Sequence, residues 1–229
     1  MTATATLARN RLRPVPWGWL AALAAGWFPC TSLLATAPRD PGAGVVAFHW
    51  AAFLLGLGGA VLTAPEIDPA RDVLRGAPVS WWQTLALRLA GWLALGAAPI
   101  LALAVRLDGD AGWTTADLIR GALPNFLLVT AVCFLAARLT SVLGGGAAAI
   151  AVVIALDLAG RAWPGWFPIQ VASVPGSPHW QAGRVWMVAG SLALVAVTLL
   201  AEHRTGTRPC VPRRSPSARP SQAHEARVR

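Results

Sequence analysis

The stretch from Ala64 to Ala90, APEIDPARDVLRGAPVSWWQTLALRLA, is a polar interruption between two long apolar runs, and it decides how the chain is organised. Asp68 is placed to cap a short helix, with Pro69 at its first position, where a missing N–H costs nothing. Gly76 and Pro78 are typical of a helix end. The sequence therefore predicts a helix of about two turns between two spanning helices.

This short helix is predicted to be amphipathic, because charged and apolar residues separate on a period of 3.6 residues. The charged side carries Asp68, Arg71, Asp72 and Arg75. The apolar side carries Val73, Leu74 and Ala77. A cytosolic partner that binds such a helix on the membrane surface could move the spanning helices on either side of it. The alternative interpretation is a solvated connecting loop.

The next spanning helix has its own start signal. Ser80 and Gln83 form an S-x-x-Q capping box, and Trp81 and Trp82 suit the depth of the lipid headgroups.

Composition identifies an integral membrane protein. Of the 229 residues, 55% are hydrophobic and 13% are charged, whereas soluble domains carry about a quarter charged residues. The chain has no lysine, so its 19 basic residues are all arginine. A phosphate-binding loop of the G-x-x-x-x-G-K-[ST] type needs a lysine, and the chain is therefore not itself a P-loop ATPase.

The formal net charge of +9 comes mainly from the two ends of the chain. In a membrane protein such charge indicates topology and contact with anionic headgroups before nucleic-acid binding. Cys30, Cys133 and Cys210 are scattered, which predicts neither a disulfide framework nor a metal site. No cofactor is expected in this chain.

The hydrophobic pattern predicts an all-α membrane protein with six spanning helices. The predicted spans are about 17–36, 44–63, 81–105, 118–137, 142–159 and 185–201. They form a transmembrane domain over 17–202, between a basic N-terminal segment (1–16) and an Arg/Pro-rich tail (203–229) that is expected to be disordered.

The first run has a rival interpretation as a signal peptide, since it follows a basic start and ends in Ala35-Thr36-Ala37. Its length and its tryptophans, Trp17, Trp19 and Trp27, favour a retained span. The segment from Gly160 to Arg184 is rich in Trp and Pro. It is predicted to be an external insert that connects spans five and six and lies at the membrane–water interface.

Arginine counting predicts the orientation. The termini and the two loops on their side hold thirteen arginines, the opposite loops and helix ends hold five, and Arg88 is set aside as intramembrane. The excess places both termini in the cytosol, together with the segment around Asp68–Ala77.

Three local features together resemble the permease subunits of ABC-2 type transporters. They are a basic, proline-marked approach to span one (Arg9 to Trp17), the R-x-x-L-R-x-x-P-V-S pattern of Arg71 to Ser80, and the short junction FLAARLTSVLGGGAAA (Phe134 to Ala149). The Trp/Pro-rich insert before span six belongs to the same pattern. The resemblance covers roughly residues 9–202 and is one of pattern rather than of an invariant motif.

The resemblance implies an ATP-driven exporter in the membrane of a bacterial cell. The chain would pair with a second copy or a related permease, and it would use the ATP bound by a separate ATP-binding subunit. The coupling interface for that subunit would be Asp68, Arg71, Asp72, Leu74 and Arg75, and the approach to span one would match the family's interfacial elbow helix. The short first and third external links depart from larger relatives, which carry an external domain.

Three polar residues lie within the predicted spans. His49 is interpreted as a residue that hydrogen-bonds between helices rather than as a catalyst. Arg88 is expected either to find a partner, with Glu66 the nearest acid, or to snorkel to the interface. Asn125 follows Pro124 and is expected to bond the backbone group that the proline frees.

Asp157 and Arg161 have the i, i+4 spacing of a helical ion pair, which we interpret as an anchor at the interface. The chain has no G-x-S-x-G, no H-E-x-x-H and no His or Asp cluster in its apolar runs, so catalysis is not expected. Two functions remain: a permease for a hydrophobic or amphipathic substrate, and a membrane scaffold or assembly protein with a partner-binding loop.

Overall fold

The computed structural model describes residues 15–36, 41–64, 81–109, 113–163 and 175–206. Within these ranges the chain is helical, as predicted, and it contains six segments that are long and apolar enough to cross a membrane. The helices are α1 (Trp17–Thr36), α2 (Pro41–Gly56), α3 (Trp81–Arg106), α4 (Thr115–Leu139), α5 (Val142–Ala162) and α6 (Trp180–Gly206).

The second span is not one continuous α-helix. It changes after Gly56 into a 3-10 helix, Leu57–Leu62, whose pitch is longer and whose cross-section is narrower than those of an α-helix. Small residues let this segment lie directly against α4: a Cβ atom on Gly59 would be 2.9 Å from the carbonyl oxygen of Thr130. Hydrophobic periodicity alone does not separate the two helix types over so short a run.

Helix α4 is the centre of the bundle. It contacts α2, α3, α5, α6 and the 3-10 helix, and most of its residues are buried, among them Phe126, Val129 and Phe134. Such an environment suits a helix that is apolar or small on every side. The outer helices α1, α5 and α6 leave large side chains exposed, which is the expected face toward lipid.

Helices α2, α4 and α6 run in the same direction. Residues later in the second span contact residues later in α4: His49 meets Asn125, and Thr63 meets Phe134. The same holds between α4 and α6, where Arg184 meets Asn125 and Glu202 meets Arg138.

Helices α1, α3 and α5 run in the opposite direction. Trp27 of α1 donates to Ala51 of α2, while Gly44 lies against Ala35. Trp82, at the start of α3, stacks edge-on against His203, at the end of α6. The start of α1, the start of α3 and the ends of the 3-10 helix, α4 and α6 therefore share one end of the bundle, which we call the Glu202 end. The opposite end is the Arg184 end.

Several predicted boundaries change. Helix α5 continues to Ala162 and α6 begins at Trp180, so the insert predicted between 160 and 184 is narrower and Arg184 lies inside a helix. Thr114 caps the start of α4, since its Oγ1 accepts the N–H of Asp117 at 3.2 Å. The coupling segment Asp68–Ala77, the predicted elbow up to residue 14 and the tail from 207 onward lie outside the described residues.

Candidate functional site

The three parallel helices are joined by a buried polar chain centred on Asn125. The Asn125 amide nitrogen donates to the backbone carbonyl of His49 at 3.1 Å. Its amide oxygen accepts a hydrogen bond from Arg184 Nη1 at 2.6 Å. His49, Asn125 and Arg184 are all almost completely buried, so one short chain of contacts crosses from α2 through α4 to α6.

Gly121 makes this chain possible. Arg184 Nη1 also donates to the Gly121 carbonyl at 3.0 Å. On the same residue, a Cβ atom would overlap the imidazole of His49. Only a glycine at position 121 lets the histidine ring pack against the backbone of α4 while the arginine reaches its carbonyl.

Arg184 has further contacts on α5 and α6. Its guanidinium lies 5.7 Å from the centroid of the Trp180 ring, within cation–π range, and it interacts electrostatically with the carboxylate of Asp157. Asp157 forms the predicted ion pair with Arg161, with 2.8 Å between Oδ2 and Nη2. At the Arg184 end, charged side chains of α5 and α6 therefore lie near the polar contacts of α4.

The Glu202 end carries a second buried ionic contact. Arg138, at the end of α4, pairs with Glu202, at the end of α6, and Glu202 is almost fully buried. Seventeen residues separate Gly121 from Arg138 along α4, and eighteen separate Arg184 from Glu202 along α6. At 1.5 Å per residue these spacings are about 26 Å, close to the thickness of a bilayer's hydrocarbon core. The two helices are thus fastened at both edges of the apolar layer.

Arg88 lies at the Glu202 end, inside α3. It is buried, with its Nη1 3.5 Å from the carbonyl oxygen of Leu62 and its guanidinium 5.2 Å from the centroid of the Trp81 ring. These contacts join α3 to the end of the 3-10 helix. Leu62 and Trp81 flank the chain segment that contains Glu66 and the predicted coupling residues Asp68, Arg71, Asp72, Leu74 and Arg75, all outside the described residues.

A groove of about 710 Å³ runs between α4 and α6 at the Arg184 end. Its walls are mainly aliphatic, and its polar groups come from Arg120, Gln181, Arg184 and Trp180. We call it the α4–α6 groove. The indole Nε1–H of Trp180 is buried and has no hydrogen-bond partner among the residues that the structure describes. The volume and the mixture of apolar walls with a few polar groups are typical of ligand pockets.

Across the described ranges, no group of three or more His, Cys, Asp or Glu side chains is arranged to hold a metal ion. The described polar residues instead hold helices to one another, and the groove adds a surface able to bind an apolar chain.

Sequence reasoning singled out His49, Arg88 and Asn125, but it missed Arg184, Arg138 and Glu202. Arg184 falls at the end of the predicted insert, and Glu202 falls at the edge of the last apolar run. The sequence did contain a signal for the Arg138–Glu202 pair. An acid stands at the end of the sixth span and an arginine at the end of the fourth, which runs in the same direction, so the two can meet.

Comparisons of the chain with protein-family models, with curated proteins and with solved structures gave no match.

Proposed function

We propose that this chain is the membrane-spanning permease subunit of an ATP-driven exporter in a bacterial cell membrane, working with a separate ATP-binding subunit. The six apolar helices and the pattern of residues 9–202 support the proposal. The ATPase docks on the segment Asp68–Ala77, and both termini and this segment face the cytosol.

The observation that carries the proposal is that side-chain contacts hold the chain on both sides of this segment, at the end of the 3-10 helix and at the start of α3. Leu62 and the start of α3 are linked through Arg88, and the neighbouring Thr63 hydroxyl donates to the Phe134 carbonyl of α4 at 2.8 Å. A displacement that reaches Leu62, Thr63 or Trp81 would therefore pass to α3 and α4.

The substrate of the exporter is a hydrophobic or amphipathic molecule. In the described spans the charged side chains face other helices or lie near the span ends, so no continuous polar path crosses the bundle. Two permease chains and two ATP-binding chains form the working unit.

The test is purification of the full-length tagged chain from its own host in mild detergent, followed by measurement of ATP hydrolysis. The expected preparation contains an ATP-binding chain in equal amount and hydrolyses ATP, and reconstitution into liposomes preserves that activity. A pure, well-folded preparation that contains another partner and hydrolyses no ATP would contradict the proposal and favour the membrane scaffold.

A further inference from the structure

We propose that the α4–α6 groove is a binding site for an anionic phospholipid, with an acyl chain along its aliphatic walls and the phosphate at the Arg184 end. This site does not depend on the proposed transport function. It is argued from the shape of the groove, from its charge and from one buried donor.

The walls of the groove match an acyl chain. Aliphatic residues from both helices line it: Ile119, Leu123, Leu127, Val185, Val188 and Leu192. On α6 the lining extends from Trp180 to Leu192, twelve residues apart, or about 18 Å along the helix axis. Val185 and Leu192 are largely exposed, and an apolar chain laid between the helices would cover them.

The charge of the groove is positive at one end only. Arg120 is exposed at this end and forms no ion pair with any described residue. Arg184 adds a second guanidinium in the wall of the groove. Two acids lie nearby: Asp157, which pairs with Arg161 and also interacts with Arg184, and Asp117, whose Oδ2 accepts the hydroxyl of the capping Thr114 at 2.8 Å. Arg120, Arg161 and Arg184 outnumber these two carboxylates, and an anionic group is therefore complementary to this end.

Trp180 supplies an independent observation. The residue is 6% exposed, it lines the groove, and its indole N–H has no partner in the described part of the chain. A buried donor of this kind needs an acceptor. The indole nitrogen is closed off from the groove as it stands, so a phosphate or ester oxygen of a lipid would reach it only after the ring turns, at the headgroup depth where tryptophan is favoured.

The test measures lipid binding to the purified full-length protein by native mass spectrometry, with phosphatidylglycerol and phosphatidylcholine of identical acyl chains as the probes. One arginine near a charged group contributes about 1 kcal/mol, which corresponds to a preference of about fivefold. We expect phosphatidylglycerol to bind one site at least fivefold more tightly than phosphatidylcholine.

Three pairs of variants locate the site, each with a control on an exposed residue outside the groove. Arg120→Gln removes the exposed charge, with Arg106→Gln as its control. Trp180→Phe keeps the ring against Arg184 but removes the donor, with Trp186→Phe as its control. Ala189→Trp blocks the groove, with Ala196→Trp as its control.

The expected result separates the three effects. R120Q lowers the affinity for phosphatidylglycerol about fivefold and removes the preference over phosphatidylcholine, W180F weakens the binding of both lipids, and A189W abolishes the site. The control variants bind as the unaltered protein does.

Three results would overturn the proposal: equal affinity for the two lipids, equal losses for R120Q and R106Q, or full binding by A189W. Retention of a different anionic amphiphile that phosphatidylglycerol does not displace would also overturn it, and would identify the groove as a site for that molecule instead.

Discussion

Gly121 illustrates how a single missing side chain determines the packing of this bundle. The His49 imidazole occupies the space that a Cβ atom would need, and Arg184 bonds the carbonyl of the same residue. In lipid, small residues at helix contacts replace much of the driving force that apolar burial supplies in water. The contact between α2 and α4 therefore depends on this position.

Gly121→Ala is predicted to lower the thermal stability of the protein. The added methyl group forces His49 or the helix backbone to move, and overpacking of this kind costs about 1–3 kcal/mol. Gly190→Ala is the matched control, because no atom lies within 4 Å of a Cβ at that position of α6. The temperature at which half of the monodisperse peak is lost on heating in detergent gives the stability of both variants. An equal midpoint for G121A and the unaltered protein would contradict the role given to this glycine.

At the same scale, the sequence identifies which polar residues are intramembrane but not what they bind. His49, Arg88 and Asn125 are recognisable because they interrupt apolar runs. The partners of Asn125 lie 76 and 59 residues away along the chain, and Pro124 suggested a local backbone partner instead. Such pairings depend on helix register and direction, which no local pattern encodes.

Among the elements, α4 and α6 form a parallel pair fastened at both ends, by Arg184 with Asn125 and by Arg138 with Glu202. A buried ion pair adds little net stability, yet removing one partner leaves a buried charge without compensation. Glu202 is 1% exposed, so its carboxylate would be left buried without an ion-pair partner if Arg138 were removed.

Arg138→Met is accordingly predicted to destabilise the protein by about 3–5 kcal/mol, while the double variant with Glu202→Leu is predicted to be close to the unaltered protein. Arg106→Met controls for the loss of a positive charge, since Arg106 is exposed at the end of α3. Thermal unfolding of the four proteins gives the comparison. If the double variant is as unstable as the single one, the ion pair does not account for the effect.

Element boundaries follow from sequence where strong signals stand at the ends. The span predicted at 17–36 has those bounds, and the fifth span begins at Val142 as predicted. The start of α6 was misplaced because the Trp/Pro-rich run predicted a loop, whereas the helix begins two residues after Pro178. The change from α-helix to 3-10 helix at Gly56 was missed because both helix types carry a similar apolar pattern over one or two turns.

For the whole molecule, the described helices place the start of α1 and the end of α6 at the same end of the bundle. The excess of arginine predicts that this end faces the cytosol. Reporters fused after Arg229 and inserted at Ser80 should therefore report the cytosol, and one inserted at Gly176 should report the other side. An external report from Ser80 would reverse the orientation and remove the coupling segment from reach of a cytosolic ATPase.

We propose that the segment Asp68–Ala77 couples a separate ATPase to the membrane helices. Leu74 is predicted on the apolar face of this helix, opposite the face that carries Arg71 and Arg75. Anchors of this kind carry about 2–4 kcal/mol of an interface when they are buried. Leu74→Asp would place a charge in that contact without altering any spanning helix.

The most direct measurement is the ATP hydrolysis rate of the complex purified through the tagged permease, compared between Leu74→Asp and Leu143→Asp. Leu143 is the exposed second residue of the spanning helix α5, next to its Ser141 cap, so the second variant makes the same chemical change outside the segment, at the edge of the apolar layer. The account predicts normal membrane insertion of both proteins, retained ATPase and ATP hydrolysis with L143D, and loss of both with L74D. Full ATPase retention and hydrolysis with L74D would contradict the coupling role.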